Sequence, residues 1–167
     1  MATLPIIVAP DPRLKVISAP VEKIDRRVLK LMDDMLETMY AAPGIGLAAI
    51  QVGVPKRVVV LDIGWRDKPE SENDEKQKER KNPMYFVNPE IITKSTNNSA
   101  YEEGCLSVPG QFAEIERPDK CRIKYLDYYG QSKELVAKDM LATCIQHEMD
   151  HLEGILFIDY LSKLKKS

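Results

Sequence analysis

The chain contains two histidines, and both lie in the segment His147-Glu148-Met149-Asp150-His151. Residues four positions apart share one face of a helix, with Cβ atoms about 5–6 Å apart, so two imidazoles at this spacing can bind one metal ion. Glu148, beside the first histidine, can exchange protons with a water molecule at that ion. Chance could bring two surface histidines to this spacing, but here both histidines of the chain flank a glutamate in a largely apolar segment. The segment therefore predicts a hydrolytic metal site.

A catalytic ion of this type needs a third protein ligand and one open position. A metzincin protease would carry a third histidine at position 157, where this chain has Phe157. A thermolysin-like enzyme takes a glutamate well downstream, and only sixteen residues follow His151. The sequence therefore does not favour a conventional zinc endopeptidase.

A cysteine is the natural soft third ligand, and the chain has three. Cys144 precedes His151 by seven residues, about 10.5 Å along a helix axis, so it cannot share one ion with both histidines. Cys121 falls in a predicted strand, where cysteine ordinarily serves as a small buried hydrophobic residue. Cys105 lies in a glycine-containing segment that could bend toward another element. Spacing alone favours Cys105 without excluding Cys121.

A second unusual segment, Gly44-Ile45-Gly46-Leu47-Ala48-Ala49-Ile50-Gln51, contains two glycines. It lacks the Gly-Lys-Ser/Thr ending of a phosphate loop and the third glycine of a dinucleotide loop. Glycine permits close approach of the backbone to a ligand. The segment could equally be a helix end that turns into a buried strand, and composition does not choose between the two interpretations.

The elements that must position these residues follow from hydrophobic periodicity. Apolar residues at steps of three and four predict a helix from Ile24 to Ala41, whose methionines are core residues and which Pro43-Gly44 should end. A second helix is predicted from about Asp139 to Glu153, with Gly154 as its stop. Strands without βαβ alternation indicate an α+β fold. The predicted strands are Arg57 to Ile63, Tyr85 to Asn88, Glu90 to Thr93, and the hairpin Lys120 to Tyr128 with Glu134 to Ala137.

Composition limits the classes of protein. A length of 167 residues fits one domain, 1–167, and a net charge of -2 gives no indication of DNA binding. No apolar run approaches the roughly 20 residues of a membrane span, and the N-terminus lacks a signal-peptide pattern. Three widely spaced cysteines argue against a disulfide framework and for the reducing cytoplasm. The polar stretch Arg66 to Asn82 is predicted to be a solvated loop.

Three segments taken together resemble the peptide deformylase family: Gly44 to Gln51, Glu103-Gly104-Cys105-Leu106-Ser107, and Gln146-His147-Glu148-Met149-Asp150-His151. Their order and separation match the family, and the resemblance extends from the proline-rich N-terminal arm to Ser162. It implies an α+β fold in which antiparallel sheets surround a C-terminal metal-binding helix. The implied ligands are Cys105, His147 and His151.

The resemblance also implies an activity, namely removal of the formyl group from the N-terminal formyl-methionine of new polypeptides, with release of formate. Glu148 would be the general acid/base, and the Gln51 amide with the Leu106 N–H would stabilise the oxyanion. Gly46 would contact the substrate backbone. The ion would be Fe²⁺, for which Zn²⁺, Ni²⁺ or Co²⁺ can substitute.

Several expectations accompany this interpretation. Four residues could line an apolar pocket for the methionine side chain or simply pack in the core: Ile45, Tyr101, Met140 and Cys144. The partners would be formyl-methionyl nascent chains and, transiently, the ribosome. The alternatives are a non-catalytic metal-binding module, which would need a fourth protein ligand, and a divergent metallopeptidase, which would cleave internal peptide bonds.

Overall fold

The computed structural model describes residues 2–64 and 81–161. Helix α1 spans Arg26–Ala41 and helix α2 spans Asp139–Leu152. A short 3-10 turn, Pro12–Lys15, interrupts the N-terminal arm, and another, Ala49–Val52, follows the first strand. The strands are β1 Gly46–Ala48, β2 Val58–Leu61, β3 Met84–Lys94, β4 Asn98–Cys105, β5 Val108–Pro118, β6 Lys120–Leu126 and β7 Ser132–Lys138.

The described strands form two antiparallel sheets. One sheet has five strands in the order β1-β2-β3-β6-β7, and β4 pairs with β5 in a separate two-stranded sheet. Helix α2 contacts strands of both sheets. The α+β prediction, with antiparallel sheets around a C-terminal helix, is confirmed. No helix in the described residues is long and apolar enough to cross a membrane.

Helix α1 begins two residues later than predicted, because the Asp25 side chain caps it by accepting a hydrogen bond from the Val28 N–H at 3.1 Å. Its end at Ala41 is as predicted. The methionines are core residues, as expected: Met32, Met35 and Met39 have no exposed surface. They pack in one cluster with residues of β1 and β2, so this helix covers the strand that lies within the glycine segment.

The prediction of two strands at Tyr85 to Asn88 and Glu90 to Thr93 is wrong, because the chain forms one strand, β3. Asn88 lies in the left-handed region with φ of 52°, and the register with β6 shifts between Val87 and Glu90. The Asn88 side chain stabilises this irregularity through two hydrogen bonds with the Val21 backbone. Its Oδ1 accepts from the Val21 N–H at 2.7 Å, and its Nδ2 donates to the Val21 carbonyl at 2.8 Å. Strand β2 is also shorter than predicted, at Val58–Leu61.

The β6–β7 hairpin and helix α2 were predicted correctly, with Gly154 following the helix at φ of 74°. The hairpin of β4 and β5 was not predicted. Its strands carry few apolar residues, and most of its side chains are exposed or half-buried. Residues 66–80 of the predicted solvated loop lie outside the described residues.

Candidate metal centre

Two separate elements bring the predicted ligands together. Helix α2 carries His147 and His151 on its buried face, with exposures of 7% and 0%. Cys105 is the last residue of β4, immediately before the turn into β5. The ligand atoms of Cys105, His147 and His151 all lie within 4.8 Å of one another. Cys105 Sγ is 3.4 Å from His151 Nε2.

The other two cysteines lie elsewhere. Cys121 is 2% exposed in the hydrophobic core, and burial raises the pKa of its thiol to about 11. Cys144 is buried in the same core cluster. No two of the three cysteines form a disulfide. Cys105 therefore has the position that a third ligand requires, and Cys121 is a core residue.

A buried carboxylate that the sequence analysis did not single out orients His147. His147 Nδ1 donates a hydrogen bond to Glu103 Oε1 at 2.8 Å, which directs Nε2 toward Cys105 and His151. Carboxylates commonly orient metal-binding histidines in this way. The position of Glu103 two residues before Cys105 was the available signal, but strand alternation alone does not say which face is buried.

Glu103 belongs to a larger charged network. Arg117 donates to both Glu103 oxygens, at 2.6 and 3.0 Å, and to Asp150 Oδ2 at 2.8 Å. The Tyr160 hydroxyl also donates to Asp150, at 2.6 Å. Burial opposes ionisation of Glu103, but its bonds to His147 and Arg117 hold the pKa of the carboxyl below its ordinary value. Glu103 therefore remains ionised and bonded to His147.

The local charge favours a cation. Burial by itself lowers the pKa of His147, but the negative charge of Glu148, with the hydrogen bonds to Cys105 and Glu103, raises it to about 10. Burial, with the charge of His147, lowers the pKa of His151 well below its ordinary value, so this imidazole is neutral. His151 Nδ1 has no hydrogen-bond partner within the described ranges. One thiolate and two imidazoles at this separation suit a divalent transition-metal ion.

Glu148 lies beside the candidate ligands but is not one of the three. Its Oε2 is 3.9 Å from His147 Nε2, and its Oε1 is 3.9 Å from His151 Nε2. The side chain is buried, and Oε1 has no hydrogen-bond partner in the described part of the chain. Burial raises the pKa of this carboxyl to about 7. A buried carboxyl group with one oxygen near each imidazole, and with Oε1 unpaired among the described residues, is suited to proton transfer at the site.

The glycine segment lies against this carboxylate. A Cβ atom on Gly46 would be only 2.5 Å from Glu148 Oε2. Glycine at this position therefore lets β1 pass directly beside the glutamate. Both interpretations of this segment therefore describe part of it. The chain turns after α1 into the buried strand β1, and its backbone passes close to Glu148 at Gly46.

Gln51 reaches the site from the 3-10 turn after β1. Its Oε1 accepts a hydrogen bond from the Ala48 N–H at 2.9 Å. Its Nε2 donates to Ser107 Oγ at 3.0 Å and lies 3.5 Å from Cys105 Sγ. Leu106, next to Cys105, lies in the turn between β4 and β5. The structure thus brings Gln51 and Leu106 to the candidate metal centre.

A groove of about 480 Å³ opens onto this centre. Its lining residues are Ile6, Ala42, Pro43, Gly44, Ile45, Gly46, Gly104, Cys105, Leu106, Pro109, Gly110, Phe112, His147 and Glu148. A larger cleft of about 700 Å³ runs past Arg57, Glu90 and Glu153. It contains none of the three candidate ligands, so the smaller groove is the candidate substrate site.

Of the four residues predicted to form the methionine pocket, one lines the groove and three do not. Ile45 lines the groove. Cys144 is buried in the core cluster against which Ile45 packs. Tyr101 lies in β4 and Met140 in the first turn of α2, and both are half-buried. The role of these residues in holding a methionine side chain stays a prediction.

Comparisons of the sequence and of the structure with known proteins point to the same family. The sequence model of the polypeptide deformylase family matches residues 3–167. The chain is 59% identical over 167 residues to the peptide deformylase of Pelagibacter ubique, across 100% of this chain and 91% of that one. It is 57% identical over 166 residues to that of Phenylobacterium zucineum, across 99% and 92% of the two chains.

Solved structures give the same result. The crystal structure of peptide deformylase from Ehrlichia chaffeensis superposes with a TM-score of 0.87 and 44% identity, across 98% of this chain and 90% of that one. The same protein in complex with actinonin gives a TM-score of 0.86 and 46% identity, across 99% and 92%. Peptide deformylase from Thermotoga maritima gives 0.82 and 36%, across 95% and 97%.

Proposed function

The chain belongs to the polypeptide deformylase family, and from that premise we propose which residues form its active centre and which ion they hold. It is a metal-dependent hydrolase that removes the formyl group from the N-terminal formyl-methionine of nascent polypeptides. The proposed ligands are Cys105, His147 and His151. The single observation that carries this assignment is the convergence of their ligand atoms within 4.8 Å, from a helix and a strand end far apart in sequence.

An ion held by Cys105, His147 and His151 would supply Lewis acidity toward the formyl carbonyl and would lower the pKa of water at the site. The other steps belong to side chains of this chain. Glu148 takes a proton from water as the water oxygen attacks the formyl carbon. The carbon–nitrogen bond then breaks, Glu148 passes the proton to the leaving amine nitrogen, and formate departs. The buried Oε1 supports this role, because it forms no hydrogen bond with any residue that the structure describes and is therefore open to proton exchange.

The proposed oxyanion donors are the Gln51 amide and the Leu106 N–H. Gln51 is held by its bonds to Ala48 and Ser107, so its Nε2 is fixed in place before the substrate arrives. Donors fixed in this way stabilise developing charge without reorganisation. Gly46 is proposed to contact the substrate backbone, since it lines the groove beside Glu148.

The proposed native ion is Fe²⁺. Its support is the family resemblance together with a donor set of one thiolate and two imidazoles, which does not select sharply among divalent ions. Zn²⁺, Ni²⁺ and Co²⁺ are proposed substitutes. The deciding experiment is anaerobic determination of the metal content of the isolated protein, paired with formate release from a formyl-Met peptide. A protein that binds metal but releases no formate would instead be a binding module.

The groove is the proposed binding site for the substrate. Since the Ehrlichia chaffeensis relative has been solved with actinonin, we expect actinonin to inhibit this chain competitively with formyl-Met peptides.

The methionine side chain is proposed to bind against four residues: Ile45, Tyr101, Met140 and Cys144. Substitution of Ile45 by Asn should raise KM for formyl-Met peptides, whereas the control Ile92→Asn, at an exposed position, should not.

Three further proposals concern the extent of the domain, the cellular compartment and contact with the ribosome. A family match across residues 3–167 supports one domain over 1–167. Three cysteines that form no disulfide with one another support a reducing compartment, and we propose the cytoplasm. Because the substrates are nascent chains, we propose transient contact with the ribosome, testable by cosedimentation of the full chain with ribosomes at low and high salt.

A further inference from the structure

Phe112 is a large aromatic side chain exposed at the rim of the groove. Its exposed fraction is 67%. Among the large hydrophobic side chains that the structure describes, Tyr129 is more exposed, at 82%, and Ile17 is equally exposed. Unlike those two residues, Phe112 lines the groove that contains Cys105 and Glu148. An exposed aromatic ring beside a reactive centre is available to contact a ligand that enters the groove.

An irregularity in the β4–β5 hairpin places this ring. Glu103 pairs with Ala113 and Cys105 pairs with Val108. The residues between these two pairs are Gly104 on one strand and 109–112 on the other, so the ladder is interrupted by a large bulge in β5. Bulges of this kind are used in proteins to redirect side chains beside active sites.

The ring lies directly on the backbone of Gly104. A Cβ atom on Gly104 would be 2.6 Å from Phe112 Cε1 and 2.7 Å from Cδ1. Gly104 precedes the ligand Cys105, and consecutive Cα atoms are about 3.8 Å apart. The ring is therefore held about one residue away from the ligand at the reactive end of the groove.

The surroundings of the ring are apolar. Besides Phe112, the lining includes Ile6 from the N-terminal arm, Pro43 after α1, and Leu106. Glu148 and His147 are the ionisable lining residues apart from Cys105, and all three belong to the reactive centre. Among the lining residues that the structure describes, the rest of the groove thus presents no charged side chain to a bound peptide.

We propose that Phe112 is a specificity-determining residue that selects an apolar side chain within the two substrate residues that follow the formyl-methionine. This inference rests on the proposed function, in which the formyl carbon reacts at the centre formed by the three ligands and Glu148. An extended peptide advances about 3.3 Å per residue. The residues that follow methionine therefore pass the ring that covers Gly104, and an apolar side chain there buries surface against it.

The experiment compares three peptides: formyl-Met-Ser-Ser, formyl-Met-Leu-Ser and formyl-Met-Ser-Leu. The wild-type enzyme should process at least one leucine peptide with a higher kcat/KM than the serine peptide. Phe112→Ala should lower kcat/KM for that leucine peptide about tenfold more than for formyl-Met-Ser-Ser, a size typical of one apolar contact in a specificity site. The additional loss should lie in KM, because ground state and transition state share the contact.

Two controls separate binding from a structural role. Phe112→Tyr keeps the ring and should retain the leucine preference. Tyr129→Ala removes an exposed aromatic ring outside the groove and should leave the preference unchanged. An equal loss on all three peptides, no loss on any, or the same loss with Phe112→Tyr would overturn the inference. If the wild-type enzyme released formate from none of the peptides, the proposed function itself would fail.

Discussion

His147 donates a hydrogen bond from Nδ1 to the buried carboxylate of Glu103 at 2.8 Å, so Nε2 is the nitrogen that faces Cys105 and His151. Glu103 is in turn held by Arg117 at 2.6 and 3.0 Å. A single carboxylate therefore links the orientation of a candidate ligand to a buried ion pair. This relationship gives Glu103 two separable contributions, one to metal affinity and one to stability.

Glu103→Gln should weaken metal binding by about ten- to a hundredfold, as loss of a carboxylate that orients a ligand commonly does. It should also destabilise the fold by about 3–5 kcal/mol, since Arg117 would lose its principal buried counter-charge. Metal affinity by chelator competition and urea unfolding of the metal-free protein measure the two effects. The matched control is Glu102→Gln, whose exposed side chain points to the other face of β4. Equal effects of both substitutions would contradict the assigned role.

Glu148→Gln should retain the metal but lose turnover by about a hundred- to ten-thousandfold, the usual contribution of a general acid/base. The amide has nearly the same size but cannot accept the proton of the attacking water. Metal content and formate release from one preparation test this prediction. Glu153→Gln, at the exposed C-terminal cap of the same helix, should keep near wild-type turnover. Loss of the metal in Glu148→Gln would identify this residue as a ligand instead.

Cys105→Ser should weaken metal binding far more than Cys121→Ser or Cys144→Ser. Only Cys105 places its sulfur within 4.8 Å of the ligand nitrogens of both histidines. The two control thiols are buried in the core cluster, so their substitution should affect the stability of the fold rather than the metal. Metal content after dialysis against a weak chelator compares the three variants. Equal retention of metal in all three would exclude Cys105 as the third ligand.

Gly46→Ala should lower kcat sharply with little change in metal content. The new Cβ would lie 2.5 Å from Glu148 Oε2, so the carboxylate must move away from its position between the imidazoles. Gly44→Ala is the comparison: its Cβ would meet Leu106 Cδ1 at 2.7 Å, and the end of a leucine side chain can rotate aside. Kinetics of both variants with one formyl-Met peptide provide the test. A larger kcat loss in Gly44→Ala would argue against this account of Gly46.

The metal-free protein reconstituted without oxygen should be more active with Fe²⁺, Ni²⁺ or Co²⁺ than with Zn²⁺ at matched occupancy. Zinc favours four-coordinate geometry, whereas the reaction requires room for an additional ligand. The iron form should lose activity in air, because oxidation changes the charge of the ion and can attack a thiolate ligand. Turnover and metal content after timed exposure to air are the measurements. A zinc form that is equally fast, with an iron form indifferent to air, would remove the case for iron.

The sequence by itself determined the local parts of this molecule. The spacing of His147 and His151 required a helix to place both on one face, and hydrophobic periodicity located that helix within one residue at its C-terminal end. The methionine face of α1 and the β6–β7 hairpin follow equally from local pattern. The three motifs in order also indicated the family, because each is a short run of residues that can be recognised without knowing the fold. In each case the information lies within a few consecutive residues.

Only the tertiary structure decided which distant groups meet. Spacing favoured Cys105 without excluding Cys121, and the structure separates the two by placing the end of β4 beside α2 and Cys121 in the core. The roles of Glu103 and Arg117 depend on pairing across a hairpin that carries no strong apolar alternation, so its buried face could not be read from sequence. Phe112 reached the groove through a bulge, which shifts register. Which distant segments pair depends on the whole chain, and local pattern specifies register only weakly in a hairpin without a clear apolar face.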